Sequence, residues 1–323
     1  MYRRALLALA PATLVATAAR AAPEWRIVTE YPANVMPGEG IAHFAEAATR
    51  LSAGAFTVIP GFDAPQGLRS AAMIRAAAEE RVEAADAFTG ALAGEGAIFQ
   101  LSALPFLTAS GEDTARLLRA ARGAYASALE ARGVVLLYAT PWPATGLWSR
   151  QPVAGPEALR GLRVRTYDAA STAVMHQASA APAQISFAEA LPRLRAGELD
   201  AVLSSGDGGA GARLWELLPH FTALDYASPL SLAFCNAAAL RALPVTGQEA
   251  VMAAARETEE RQFRAIANRL VENETRMRHN GVVLSSGAPL RPVLTAAAAP
   301  VLAEWSGRAG AEGAAILAAY RAG

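Results

Sequence analysis

Residues 162–205 constrain the fold of this 323-residue chain more than any other stretch. Leu162, Val164 and Thr166 alternate with Arg163, Arg165 and Tyr167, the two-residue period of a strand. That period puts the two arginines and the tyrosine on one face and the other side chains opposite. Helical spacing follows over residues 169–178 and again over 187–196, where Pro192 bends or restarts the helix. A compact apolar run, 199–203, then ends at Ser204 and Ser205. The expected order is strand, helix, helix, strand. Such α/β units gather polar groups at strand ends, where open α/β sheets take their ligands.

The rest of the chain repeats the alternation. Strands are expected at 24–29, 56–60 and 84–89, separated by helices at 40–52 and 68–83, and a helix at 113–132 is capped by Ser110 or Asp113 and stopped by Gly133. Residues 134–140 are the most apolar strand, and Pro141-Trp142-Pro143 after it is a rigid segment where the chain can cross between lobes. A short helix at 213–218, strands near 221–224 and 230–236 and a long helix over 247–278 come next. Glu257, Glu260, Arg261 and Arg264, three and four residues apart, mark a solvated face of that long helix. A strand at 282–284 and helices at 290–305 and 309–322 close the chain. No repeat or low-complexity linker interrupts it, so the expectation is two interwoven lobes.

Residues 1–22 depart from the globular pattern. Arg3-Arg4, an apolar run over 5–18 and the small-x-small end Ala19-Arg20-Ala21 are the parts of a secretory signal peptide, cleaved near Ala21 or Ala22. The run is shorter than the ~20 apolar residues of a membrane anchor. The adjacent arginines leave both the general and the twin-arginine export routes open. Removing Arg3, Arg4 and Arg20 from the 29 basic residues leaves 26 against 29 acidic ones, a net of −3, which argues against a nucleic-acid surface. Cys235 is the single cysteine, so no internal disulfide can form. No HExxH, Cys/His cluster or DxDxDG loop appears, and neither a metal nor a cofactor is expected.

The core Gly161-Leu162-Arg163-Val164-Arg165, the helix start Ser186-Phe187-Ala188-Glu189-Ala190 and the run Leu194-Arg195-Ala196-Gly197-Glu198-Leu199-Asp200 closely resemble the solute-binding proteins of TRAP (tripartite ATP-independent periplasmic) transporters. Pro105-Phe106-Leu107, the Asn280-Gly281-Val282 helix end and Trp305 with Gly307 and Gly310 extend the likeness over essentially the whole mature chain. The resemblance implies a two-lobed periplasmic binding protein fold of the α/β class (type II-like) with interwoven lobes, a long helix and a hinged cleft. Residues 23–142 would then make up mainly the first lobe and 143–236 mainly the second, with 237–323 completing both. It also implies a soluble periplasmic receptor that takes a small organic acid to TRAP membrane subunits, with no chemistry of its own and no membrane insertion.

In that family the second arginine of the core holds a carboxylate, and by position this is Arg165; Arg163 stays on the surface. A guanidinium suits that task because it grips a carboxylate through two parallel charge-assisted bonds. Phe187 matches a pocket-lining position and Ser204 a polar one, with Ser205 beside it. Trp142, Tyr31 and Tyr226 stand where a cleft would form, and Thr89 and Gly90 close a first-lobe strand. Receptors for large sugar acids carry a further arginine where this chain has Thr145, so the resemblance leaves substrate identity open.

Two other chemistries have sequence support. Gly206-Asp207-Gly208-Gly209-Ala210-Gly211 fits G-x-G-x-x-G after a strand, with Asp225 about 20 residues on, the pattern of a dinucleotide site in an exported oxidoreductase. Pro219 cuts the following helix short, which counts against it. Ser205 as a hydrolase nucleophile lacks the G-x-S-x-G elbow, and the absence of lysine excludes a Ser-Lys pair.

Overall fold

The computed structural model describes residues 23–323; the expected signal peptide at 1–22 lies outside the described residues. The first sheet takes strands β1 (Glu24–Val28), β2 (Thr57–Gly61), β3 (Ala84–Phe88) and β4 (Val134–Pro141). Helices α1 (Met36–Leu51), α2 (Ser70–Ala78), α3 (Ala97–Gln100) and α4 (Gly111–Glu130) lie between them. The second sheet takes β5 (Thr145–Ser149), β6 (Arg163–Thr166), β7 (Ala181–Gln184), β8 (Ala201–Ser205) and β9 (His220–Ala223), with helices α5 (Ala169–Gln177), α6 (Phe187–Arg195) and α7 (Gly206–Gly211). The chain then returns to the first sheet as β10 (Leu230–Asn236), passes through α8 (Ala237–Ala242) and the 35-residue α9 (Val245–His279), adds β11 (Val283–Ser286) to the second sheet, and ends in α10 (Arg291–Ala322).

Strand order is β2-β1-β3-β10-β4 in the five-stranded sheet and β11-β9-β5-β8-β6-β7 in the six-stranded one. In each sheet, parallel pairs joined by helices meet an antiparallel strand that arrived from elsewhere: β10 runs against β3 and β4, and β5 against β8 and β9. Sequentially distant strands therefore complete each sheet, which ties the two lobes together. The two crossings lie side by side and bond to each other. Trp142 N–H donates to Pro229 O at 2.9 Å, Thr145 N–H to Ala227 O at 2.8 Å, and Tyr226 N–H to Thr145 O at 3.1 Å. Helix α9 packs on α1 and β4 of one lobe and on α7 and β11 of the other, so it splints both. No described helix is long and apolar enough to cross a membrane.

Burial follows the alternation. One apolar cluster fills each face of the first sheet, a third packs under the second sheet against α10, and a fourth, with Tyr31, Phe88, Trp142, Trp148 and Phe187, bridges the lobes. Cys235 is buried in the second of these.

Three local expectations are corrected. The central unit runs strand, helix, strand, helix, strand, because Ala181-Pro182-Ala183-Gln184 is strand β7. Its proline removes a donor and its side chains give no β-branched signal, which an edge strand tolerates; β7 pairs with β6 alone. Thr145–Ser149 is a strand too, buried at every position and therefore without the alternation that marks a half-exposed one. Helix α1 starts at Met36, four residues before the expected start, with Pro37 in its first turn. The two closing helices are present as expected, the break within α10 falling at Gly310, whose φ of 56° and ψ of −145° no helix can hold.

Candidate functional site

Strand β6 ends on Arg165 and Thr166 with Tyr167 directly after it, and the alternation sends Arg165 and Tyr167 into the space between the lobes. Arg163, two residues earlier on the same face, lies outside that space and forms a two-pronged ion pair with Asp200 at 2.7 and 2.6 Å. Arg165 is only 5 % exposed. Its Nε donates to Ile185 O at 3.0 Å and its Nη1 to Leu203 O at 3.1 Å. These bonds fix the plane of the guanidinium, and Phe187 and Tyr167 flank it at 5.5 and 5.9 Å from ring centre to charge centre. Among the described residues no carboxylate comes within ion-pairing distance of it. Burial pulls its pKa below the usual arginine value, against the opposing pull of Tyr31 and Glu30.

Around Arg165 is a small cavity of about 40 Å³. Tyr31, Phe88, Trp142, Tyr167 and Phe187 wall it; Thr145, Ser204 and Ser205 bring hydroxyls, and Gly208 and Pro229 complete the lining. Trp142 is pinned by its Nε1–H to Ser231 Oγ at 3.0 Å and meets Tyr31 edge-on at 4.8 Å. Phe88 and Tyr167, from opposite lobes, meet edge-on at 5.2 Å. The hydroxyl of Ser205 caps α7, accepting from Gly208 N–H at 3.1 Å, whereas Ser204 Oγ has no hydrogen-bond partner among the described residues.

Six of the nine residues expected at a site thus surround one cavity: Arg165, Phe187, Ser204, Ser205, Trp142 and Tyr31. The other three lie off it. Thr89 is fully buried, its hydroxyl against Ser102 Oγ at 2.8 Å and Leu230 O at 2.9 Å. Gly90 sits against the Phe88 ring and the Asp168 carboxylate, where a Cβ would fall 2.5 and 2.8 Å from them. Tyr226 is in the third apolar cluster, packed on Phe106 and Tyr167. Tyr167 was not singled out, although the same alternation that marked Arg165 carries it into the cavity. Thr145, Gly208 and Pro229 had no such signal, because their positions depend on the lobe crossings and on α7.

The glycine-rich run is not a phosphate cradle. Gly206–Gly211 is itself a buried helix wedged between the lobes and α9. A Cβ on Gly209 would lie 2.1 Å from the Trp148 ring, and one on Gly211 2.3 Å from Val35. These glycines serve close packing, and the helix N-terminus is already capped by Ser205. Asp207, fully buried, accepts from Met36 N–H at 2.7 Å and Asn273 Nδ2 at 3.1 Å, with Arg269 Nε at 3.4 Å. It thereby joins α1, α7 and α9, and the dinucleotide expectation is overturned.

Two α/β lobes crossed by paired strands, and closed over a cavity with a buried cation, define a solute-binding protein. The profile described as "Bacterial extracellular solute-binding protein, family 7" matches residues 27–307, and the chain belongs to that family of extracytoplasmic TRAP receptors. Among solved structures it is similar to DctP7 of Bordetella pertussis, an extracytoplasmic solute receptor binding pyroglutamic acid, at 26% identity, covering 93% of this chain and 100% of that one with a TM-score of 0.89. DctP6 of the same organism, also binding pyroglutamic acid, shares the fold at 24% identity, with coverages of 93% and 100% and a TM-score of 0.88. So does a TRAP periplasmic protein of Shewanella oneidensis with bound succinate, at 17% identity, with coverages of 92% and 99% and a TM-score of 0.84. No curated protein matches the sequence. The family is one of periplasmic receptors, not of enzymes.

Proposed function

We propose that the protein captures a small organic acid between its lobes and presents it to TRAP membrane subunits, with Arg165 holding the carboxylate. The observation that carries this reading is a buried arginine with no acidic partner among the described residues. A cation taken out of water without a counter-ion is costly, and an anionic ligand would remove that cost. Its Nε and Nη1 are tied to carbonyls, which presets the fork for two parallel bonds to a carboxylate. Ser204 and Thr145 would read the polar remainder of the ligand, and Tyr31, Phe88, Trp142 and Phe187 would enclose its body.

Binding then works through closure. The lobes move about the paired crossings at residues 142–144 and 224–229, and the ligand favours the closed form because only there do both lobes touch it. The membrane subunits would read that closed shape. No bond is made or broken, so the site needs neither a nucleophile nor a cofactor. Residues 1–22 act as the export signal, 23–142 form mainly one lobe, 143–236 mainly the other, and 237–323 complete both.

The similarity to DctP7 makes pyroglutamic acid the first probe. Calorimetry and thermal unfolding of the mature protein with a panel of carboxylic acids should give saturable binding that Arg165→Ala abolishes. Unchanged affinity in that variant, or co-purified dinucleotide, would refute the reading.

A further inference from the structure

The charges around the cleft decide how many carboxylates it accepts. Among the described residues, Arg165 is the one formally charged side chain lining the inner cavity. An outer chamber of about 240 Å³ shares Tyr31, Phe88, Arg165 and Tyr167 with it and continues to Glu30, Arg69 and Glu189. Arg69, the cation there, is engaged: its Nη1 donates to Ser186 Oγ at 2.5 Å, and that hydroxyl donates on to Glu189 at 2.7 Å. Glu30 is buried and accepts from Ser70 N–H at 2.6 Å. Apart from Arg165, the outer chamber therefore carries two acids against one base.

A third acid, Asp168, also acts on Arg165. Asp168 is buried, with Oδ1 accepting from Ser171 N–H at 2.7 Å and from Ser171 Oγ at 2.6 Å, while Oδ2 has no partner. The positive charge is thus enough for one ligand carboxylate. A second would lie among aromatic rings and neutral hydroxyls, or beside Glu30 and Glu189. The first position leaves a desolvated anion without a counter-ion, and in the second Arg69 is outnumbered by the two acids; both are expensive in a closed cleft.

We propose that the cleft selects monocarboxylates with a neutral, compact or flat body and excludes dicarboxylates; this rests on the carboxylate-receptor reading above. Five aromatic walls suit such a body, and the free Ser204 hydroxyl can bond one uncharged polar group on it.

The test is titration calorimetry of the mature protein with matched ligands: pyroglutamate, 2-oxopentanoate, and 2-oxoglutarate, in which a carboxylate replaces the terminal methyl of the second. Either monocarboxylate should bind at least about 100-fold tighter than 2-oxoglutarate, the penalty expected for one unpaired buried charge. Glu30→Gln should narrow that gap by improving 2-oxoglutarate more than the monocarboxylates. A dicarboxylate that binds as tightly as its monocarboxylate partner overturns the selectivity and leaves the receptor reading intact. Failure of all three acids to bind, with the protein folded, overturns both.

Discussion

Arg69 and Ser186 meet across the mouth of the cleft, the Nη1 of one lobe donating to the Oγ of the other at 2.5 Å. Arg69 immediately precedes α2, and Ser186 caps α6, where it also bonds Glu189 in a reciprocal capping box. The contact therefore joins one helix end from each lobe. It lies outside the inner cavity and can slow ligand escape without touching the bound acid.

Arg69→Ala should accordingly raise the dissociation rate about 3- to 10-fold, the effect of one part-buried charge-assisted bond, and change the association rate much less. Stopped-flow tryptophan fluorescence reads both rates. A dissociation rate equal to wild type would show that closure does not depend on this pair.

Arg165→Lys tests geometry apart from charge. Lysine keeps the positive charge but has no fork, and it loses the two bonds that orient the guanidinium against Ile185 and Leu203. The dissociation constant for any bound acid should rise about 10- to 100-fold while circular dichroism stays unchanged. Wild-type affinity in calorimetry would mean that charge alone suffices.

Gly209→Ala separates the packing role of α7 from a phosphate-binding one. The new Cβ would fall 2.1 to 2.3 Å from three atoms of the Trp148 indole, which is itself fully buried and bonded through Nε1 to Ser205 O at 3.1 Å. Neither side can yield without moving the end of β8. Overpacking of this kind costs about 1–3 kcal/mol, so the urea midpoint should drop visibly. A variant as stable as wild type would remove the packing account of the glycine run.

How much of this was legible follows from what each residue depends on. Arg165 and Tyr167 were placed by a two-residue period that any strand must obey, and helix α5 lay within one residue of expectation. Gly206–Gly211 misled because small residues serve close approach of any kind. Only the position of Trp148, more than fifty residues upstream, reveals that the neighbour is an indole and not a pyrophosphate. Thr89, Gly90 and Tyr226 stand next to cavity residues in sequence or space, but the pleat and the lobe crossing turn them away from the cavity. Strands β5 and β7 were hidden for opposite reasons, one buried on both faces and the other an edge with a proline.

Asp86 gives the protein a pH dependence that does not involve the ligand. It is fully buried in β3, its Oδ1 accepting from Thr29 Oγ1 at 3.1 Å and its Oδ2 unpartnered, with Glu30 nearby. Burial, aided by Glu30 and opposed by the Thr29 bond, raises its pKa from 3.8 to about 8. The folded state therefore holds a proton that the unfolded chain releases above about pH 4. Stability falls as pH rises through the window between those values and levels off above about 8, with a slope of up to about 1.4 kcal/mol per pH unit. Asp168, raised by burial to about 6, adds the same sign below that pH, and Asp207, also raised, acts in the same direction. Asp86→Asn keeps the shape and the bond from Thr29 but cannot ionise. Urea unfolding at pH 5, 6, 7 and 8 should show wild type losing stability across the series and the variant losing much less between pH 6 and 8. At pH 8 the variant should be the more stable of the two, and parallel curves would mean that Asp86 does not hold its proton in the folded protein.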